Sequence, residues 1–121
     1  MAGRQAVAPR RGEVYLVNFD PSVGAEIRKT RPALILQNDI ANRYSPVTIV
    51  AAITSYEEGK LYPTEVLLEK GEGGVEHRSS VLLNQLRTID TTRLVKKLGM
   101  LDASALQRVD LALRISLDIA P

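Results

Sequence analysis

Nine residues, GAEIRKTRP (24–32), concentrate reactive side chains as no other stretch of the chain does. Arg28, Lys29 and Arg31 are cationic, Glu26 is a carboxylate and Thr30 a hydroxyl, with Gly24 and Pro32 at the ends. The rest of the chemical kit is narrow. The chain has no Cys, and His77 is its single histidine. A thiol nucleophile, a two-histidine acid–base pair and a Cys- or His-rich metal site are therefore excluded, and no metal or cofactor is called for. GEGG (71–74) lacks the GK[ST] ending of a phosphate loop and leads into a strand, not a helix. What remains is Arg, Lys, Glu, Asp, Ser, Thr and Tyr. That set suits a substrate that brings its own nucleophile, and RNA does so with its 2′-OH. The protein then has to align the 2′-OH with phosphorus, take its proton, protonate the leaving 5′-oxygen and stabilise charge on the phosphoryl oxygens. A guanidinium fork meets the last need, and a Ser or Thr hydroxyl can hold a phosphoryl oxygen.

Such groups need elements to hold them. EVYLVNF (13–19) alternates, with Tyr15, Val17 and Phe19 facing one way and Val14, Leu16 and Asn18 the other, as a strand does. Asp20, Pro21 and Gly24 break it. Pro32 opens a second strand that continues through ALILQ, a place where proline is tolerated. NDIANRYSP (38–46) reads as a short helical turn with Asn38 or Asp39 as cap and Pro46 after its end. VTIVAAI (47–53) is continuously apolar and β-branched and reads as a central strand. A polar loop spans 54–63, TEVLLE (64–69) is a strand, KGEGG (70–74) a glycine-rich hairpin connection, SVLLN (80–84) a fifth strand, and RLVKKLGML (93–101) holds a sixth. Asp102 caps a final helix, on which Leu106, Val109 and Leu113 share a face while Leu111, Ile115 and Leu117 widen the apolar surface toward a partner subunit. Five or six short antiparallel strands and a C-terminal helix predict a small barrel or curled sheet.

The 121 residues suffice for one domain with a real core, with residues 1–10 as a flexible basic arm and 11–121 as the domain. Sixteen basic residues against 14 acidic leave a net charge of +2, a weak pointer to nucleic acid. No apolar run is long enough for a membrane span, and the N-terminus lacks the apolar region of a secretory signal. The absence of cysteine fits a reducing interior, so a cytoplasmic location is expected.

RRGEVYLVNFDPSVGAEIRKTRPALILQND closely resembles the opening of the MazF/PemK (Kid) toxin family, and the likeness continues through NRYSPVTIVAAIT, SSVLLNQLRTID and the last helix, about residues 11 to 119. The resemblance implies an SH3-like antiparallel β-barrel with a short helix and a C-terminal helix, assembled as a homodimer. It implies a toxin of a type II toxin–antitoxin system that cleaves single-stranded RNA, chiefly mRNA, sequence-specifically and without metal, leaving 5′-OH ends. It also implies an antitoxin whose flexible acidic tail lies over the toxin. In the MazF branch the catalytic pair is the arginine of the RP motif and the threonine ending the third strand, here Arg31 and Thr54. The glutamate of G-x-E, Glu26, contributes to activity in some members. Ala25 stands where the family often has Ser, and the basic arm extends beyond the usual start.

Taken singly, these residues have bland readings too. Arg31 could be a surface Arg at a strand start, and Thr54 a strand residue like any other. Glu26 could pair with Arg28 or Lys29 instead of taking a proton. Arg28 and Lys29 suit phosphate contacts or a solvated loop face. Ser79, Gln85 and Arg87, in or beside the fifth strand, are further RNA-binding candidates, with Gln85 either reading base edges or satisfying backbone groups. Aromatic residues make up only 4% of the chain, so stacking platforms for bases are few. The competing functions are a non-catalytic toxin of the gyrase-poisoning CcdB kind, thought to share the barrel, and an RNA-binding barrel without turnover.

Overall fold

The computed structural model describes residues 8–19 and 30–120. They form strands β1 (Glu13–Asn18), β2 (Thr30–Ile35), β3 (Val47–Ser55), β4 (Glu65–Leu68), β5 (Ser79–Asp90) and β6 (Leu94–Met100), with helices α1 (Asp39–Tyr44) and α2 (Ala103–Leu117). The strands make one antiparallel sheet in the order β4-β5-β3-β2-β1-β6. The expected barrel is realised as a curled sheet that does not close, because β4 and β6 are both edges. None of the described helices is long and apolar enough to cross a membrane.

The sheet buries side chains on both faces, which explains why VTIVAAI is apolar without alternation. On the first face Val14, Leu34, Ala51, Ile53, Val81 and Leu83 pack beneath Ala105, Val109 and Ala112 of α2. On the second, Val17, Phe19, Ala33, Ile35, Val50 and Ile89 form a smaller cluster. Each fully buried aliphatic side chain contributes roughly 1.5–3 kcal/mol. The period of two along β1 is therefore a division between two cores.

Several boundaries differ from the sequence reading. Pro32 is the third residue of β2, not its first, and it fits because β2 pairs with β3 only over 33–35. Thr54 lies inside β3 and does not begin the following loop. β5 runs on to Asp90, through NQLRT, by way of a register shift against β3 between Ala51 and Ile53. KGEGG lies in the connection of the β4–β5 hairpin, as expected, but the connection is longer than a two-residue turn. It holds a 3-10 turn, Glu72–Gly74, that packs against β6. Gly74 has φ of 83°, and a Cβ there would run into the Leu98 carbonyl oxygen. This contact brings the β4–β5 connection against the far edge of the sheet. The caps follow the expectation, with Asn38 accepting from the Ala41 N–H and Asp102 from the Ala105 N–H, each at 2.8 Å.

The RGE run at 11–13 is architectural. The Arg11 guanidinium donates to the Leu36 carbonyl and to Asp110 of α2, both at 2.8 Å, while its backbone N–H donates to Asp39. Buried Glu13 accepts from the Arg10 N–H at 2.8 Å and pairs with Lys97 of β6 at 2.9 Å. Of the basic arm only residues 8–10 are described, and there Pro9 is buried.

Candidate active site

β2 and β3 pair Ala33 with Ala52, and two residues further along each strand the same register sets Arg31 opposite Thr54. The β2–β3 ladder ends at Ala33–Ala52, two residues short of these side chains. Thr54 is in turn the direct partner of Ser80 on β5, and Ser80 the partner of Leu67 on β4. On the other side Arg31 faces Val17 of β1. Side chains directly opposite one another share a face. Val17 belongs to the second core, while Ile53 and Val81, which flank this row, belong to the first. Arg31, Thr54 and Ser80 therefore form one polar row across three strands, at the end of the second face. Arg31 is exposed, Thr54 half-buried and Ser80 buried.

The row lies where the chain leaves β1 and enters β2, so the segment 20–29 joins the two strand ends that border it. Glu26, Arg28 and Lys29 fall on that segment and lie outside the described residues. Arg87 is exposed on the same face, opposite Val50, with its guanidinium carbon 5.0 Å from the Phe19 ring centroid. A cation over an aromatic face is attracted by the ring quadrupole and so oriented. Phe19 thus has a second task beyond filling the core. Gln85 is exposed within the irregular stretch of β5, where several residues face Ala52 alone. Bulges of this kind re-aim side chains beside functional sites. Ser79 is placed differently: its hydroxyl donates to the His77 carbonyl at 2.8 Å, and it alternates to the face opposite Ser80. His77 itself is exposed.

The sequence reading named Ser79 and passed over Ser80. The signal was available, because Thr54 and Ser80 have the same parity relative to their apolar neighbours, but the pairing of β3 with β5 was not. Tyr15 also shares the face, opposite Ala33. Burial, together with the nearby Glu13 carboxylate, raises its phenol above the ordinary tyrosine value, so it keeps its proton at neutral pH and is no base. Among the described residues, no three His, Cys, Asp or Glu side chains come together in a way that could hold a metal ion. Chemically, Arg31 and Thr54 offer a guanidinium and a hydroxyl, a set that binds a phosphodiester and polarises it.

Residues 10–117 match the family model described as PemK-like, MazF-like toxin of type II toxin–antitoxin system. The chain is 46% identical over 108 residues to Endoribonuclease EndoA of Bacillus subtilis (strain 168), covering 89% of this chain and 93% of that protein. Among solved structures, a MazE–MazF crystal structure from Deinococcus radiodurans superposes with a TM-score of 0.79 at 29% identity, over 95% of this chain and all of the other. An endoribonuclease in complex with its cognate antitoxin, from a mycobacterial species, gives a TM-score of 0.78 at 21% identity over 94% of this chain and 99% of the other, a likeness of fold.

Proposed function

The chain belongs to the PemK-like, MazF-like family of toxins of type II toxin–antitoxin systems, and on that footing we propose that it is an endoribonuclease that cleaves single-stranded RNA, chiefly mRNA, at the Arg31–Thr54 row. The observation that carries the reading is that Arg31, two residues beyond the Ala33–Ala52 pair, falls on the same face as Thr54 and its partner Ser80. The non-catalytic, gyrase-binding alternative is not favoured, since the family match is joined by a relative, 46% identical, named as an endoribonuclease.

In the proposed reaction the 2′-OH attacks the adjacent phosphorus and the P–O5′ bond breaks, giving a 2′,3′-cyclic phosphate and a 5′-OH fragment. Arg31 stabilises charge on the phosphoryl oxygens through its guanidinium and passes a proton to the leaving 5′-oxygen, and the proton taken from the 2′-OH restores the guanidinium. The Thr54 hydroxyl holds a phosphoryl oxygen and keeps the phosphorus in line. We assign the 2′-OH proton to Glu26, five residues before Arg31 in the same connection, because a guanidinium has no lone pair to accept it. Arg28 and Lys29 draw in the backbone, and Arg87 and Gln85 engage the strand beyond the cut. Ser79, on the opposite face, would act only through the His77 segment.

The proposal extends to partners. A basic, exposed Arg31–Arg87 face suits the acidic flexible tail of an antitoxin, which would cover the site. The D. radiodurans relative was solved as a MazE–MazF structure. Leu111, Ile115 and Leu117 of α2 are about half exposed, which supports a homodimer. The proposed site of action is the cytoplasm.

The test is incubation of the purified chain with long single-stranded RNAs in EDTA. Discrete cuts bearing 5′-OH ends are expected. Absence of cleavage on several long RNAs would overturn the enzymatic reading.

A further inference from the structure

Ser80 stands directly opposite Thr54 in the β3–β5 ladder, and Leu67 of β4 closes its other side. The residue is only 4% exposed. Among the described residues its hydroxyl has no hydrogen-bond partner, unlike that of Ser79, which is taken up by the His77 carbonyl. Buried hydroxyls are normally paired, and leaving one unmade costs about 1–3 kcal/mol. A hydroxyl kept buried and idle beside Thr54 calls for an account in terms of what Thr54 does.

We propose that Ser80 is a positioning residue for Thr54. When RNA binds, the serine side chain turns about its Cα–Cβ bond to donate to Thr54 Oγ1, a bond the free protein does not make, which leaves the threonine hydrogen free to point at the phosphoryl oxygen. A lone threonine hydroxyl samples several directions, and some of them turn its hydrogen back toward the protein. A donor fixed on the neighbouring strand occupies the lone pair and removes those directions. Cross-strand Thr–Ser pairs on one face have the spacing for such a bond. The RNA never touches Ser80, which fits its burial. Leu67 on the far side keeps water from competing for the serine hydrogen.

The inference rests on the endoribonuclease reading, and the two fail separately. If the wild-type chain cuts no RNA, that reading falls whatever Ser80 does. If it cuts, the substitution Ser80→Ala is compared with wild type on an oligonucleotide containing a mapped cleavage site. The expected result is a kcat lower by about tenfold with KM within about twofold, because the bond matters most when the phosphoryl charge develops. Thermal stability is expected to be equal to or above wild type, since deleting an unpaired buried hydroxyl is neutral or favourable. A kcat within about twofold of wild type overturns the inference. So does a loss that lies in KM, which would mean direct substrate contact, and so does a lower melting temperature, which would mean a structural role.

Discussion

Arg31 and Asp90 show how differently two exposed charges depend on their surroundings. Arg31 is exposed beyond the last β2–β3 pair, and under the proposed function a change there should be felt by the substrate more than by the fold. Arg31→Ala is expected to lower kcat by about 10²–10³, the loss usual for a donor to a developing oxyanion. Its melting temperature should stay within a degree or so of wild type, because an exposed side chain away from special features changes stability little. Arg31→Lys should rescue poorly, since an ammonium cannot present the planar fork. Single-turnover cleavage and a thermal melt, run side by side, decide both points. Asp90 caps a 3-10 turn, Thr91–Arg93. The Thr92 backbone N–H, then the Thr92 hydroxyl, and more weakly the Arg93 charge hold its carboxyl below the ordinary aspartate value of 3.8. A carboxyl depressed in the folded state contributes stability that is fully present above its unfolded value and is lost as pH falls through the folded one. Melts of wild type and Asp90→Ala should therefore differ by a constant amount from neutral pH down to about pH 4.5, and converge below that. A difference that persists unchanged at pH 2 would disprove the assignment.

At the scale of elements, the turn Glu72–Gly74 matters more than its length suggests. It carries the β4–β5 connection across to β6 and lies against Leu98 and Gly99. Gly74→Ala would combine a positive φ with a side-chain atom driven into the Leu98 carbonyl. We expect a destabilisation of roughly 2 kcal/mol or more, from left-handed strain plus the steric clash, read as a lower urea midpoint. RNA cleavage by the surviving folded fraction should be unaltered, because the turn lies against β6 and not in the β2–β3–β5 row. The final helix was legible from its period and its cap, since Asp102 and the Leu106–Val109–Leu113 stripe are local features. β5 was legible only as far as Asn84. Its continuation through Gln85 and Arg87 is polar and exposed, and it is a strand because β3 supplies its ladder partners. The KGEGG stretch was legible as the connection of the β4–β5 hairpin, but its contact with β6 was not. Glycines announce a turn, but what the turn packs against is not written beside them.

For the whole molecule, both edges of the sheet are managed within the chain. The Arg108 guanidinium donates to the Leu67 carbonyl at 3.0 Å and covers part of β4, and Lys96 and Lys97 blunt β6. The exposed apolar flank of α2 has no such cover, with Leu111 58% and Ile115 48% exposed. If that flank is the homodimer contact, Leu111→Glu combined with Ile115→Glu should halve the mass measured by light scattering while the far-ultraviolet circular dichroism is kept. A dimer that persists in the double variant would place the contact elsewhere. The sequence by itself determined the kit and its arrangement along the chain: a charged connection ending in Arg-Pro, an apolar run ending in Thr, one histidine and no thiol. It determined the caps, the strands with strong alternation or continuous burial, and the family likeness, because each of these depends on residue type and local spacing. Only the tertiary structure decided that Arg31 and Thr54 fall on one face, just beyond the end of the β2–β3 ladder. It alone showed that Arg87 leans on Phe19, and that Ser80 and not Ser79 shares the threonine's face. The reason is register. Moving one residue along a strand turns a side chain to the other side of the sheet, and which residue lies opposite which is set by pairings between segments far apart in the chain.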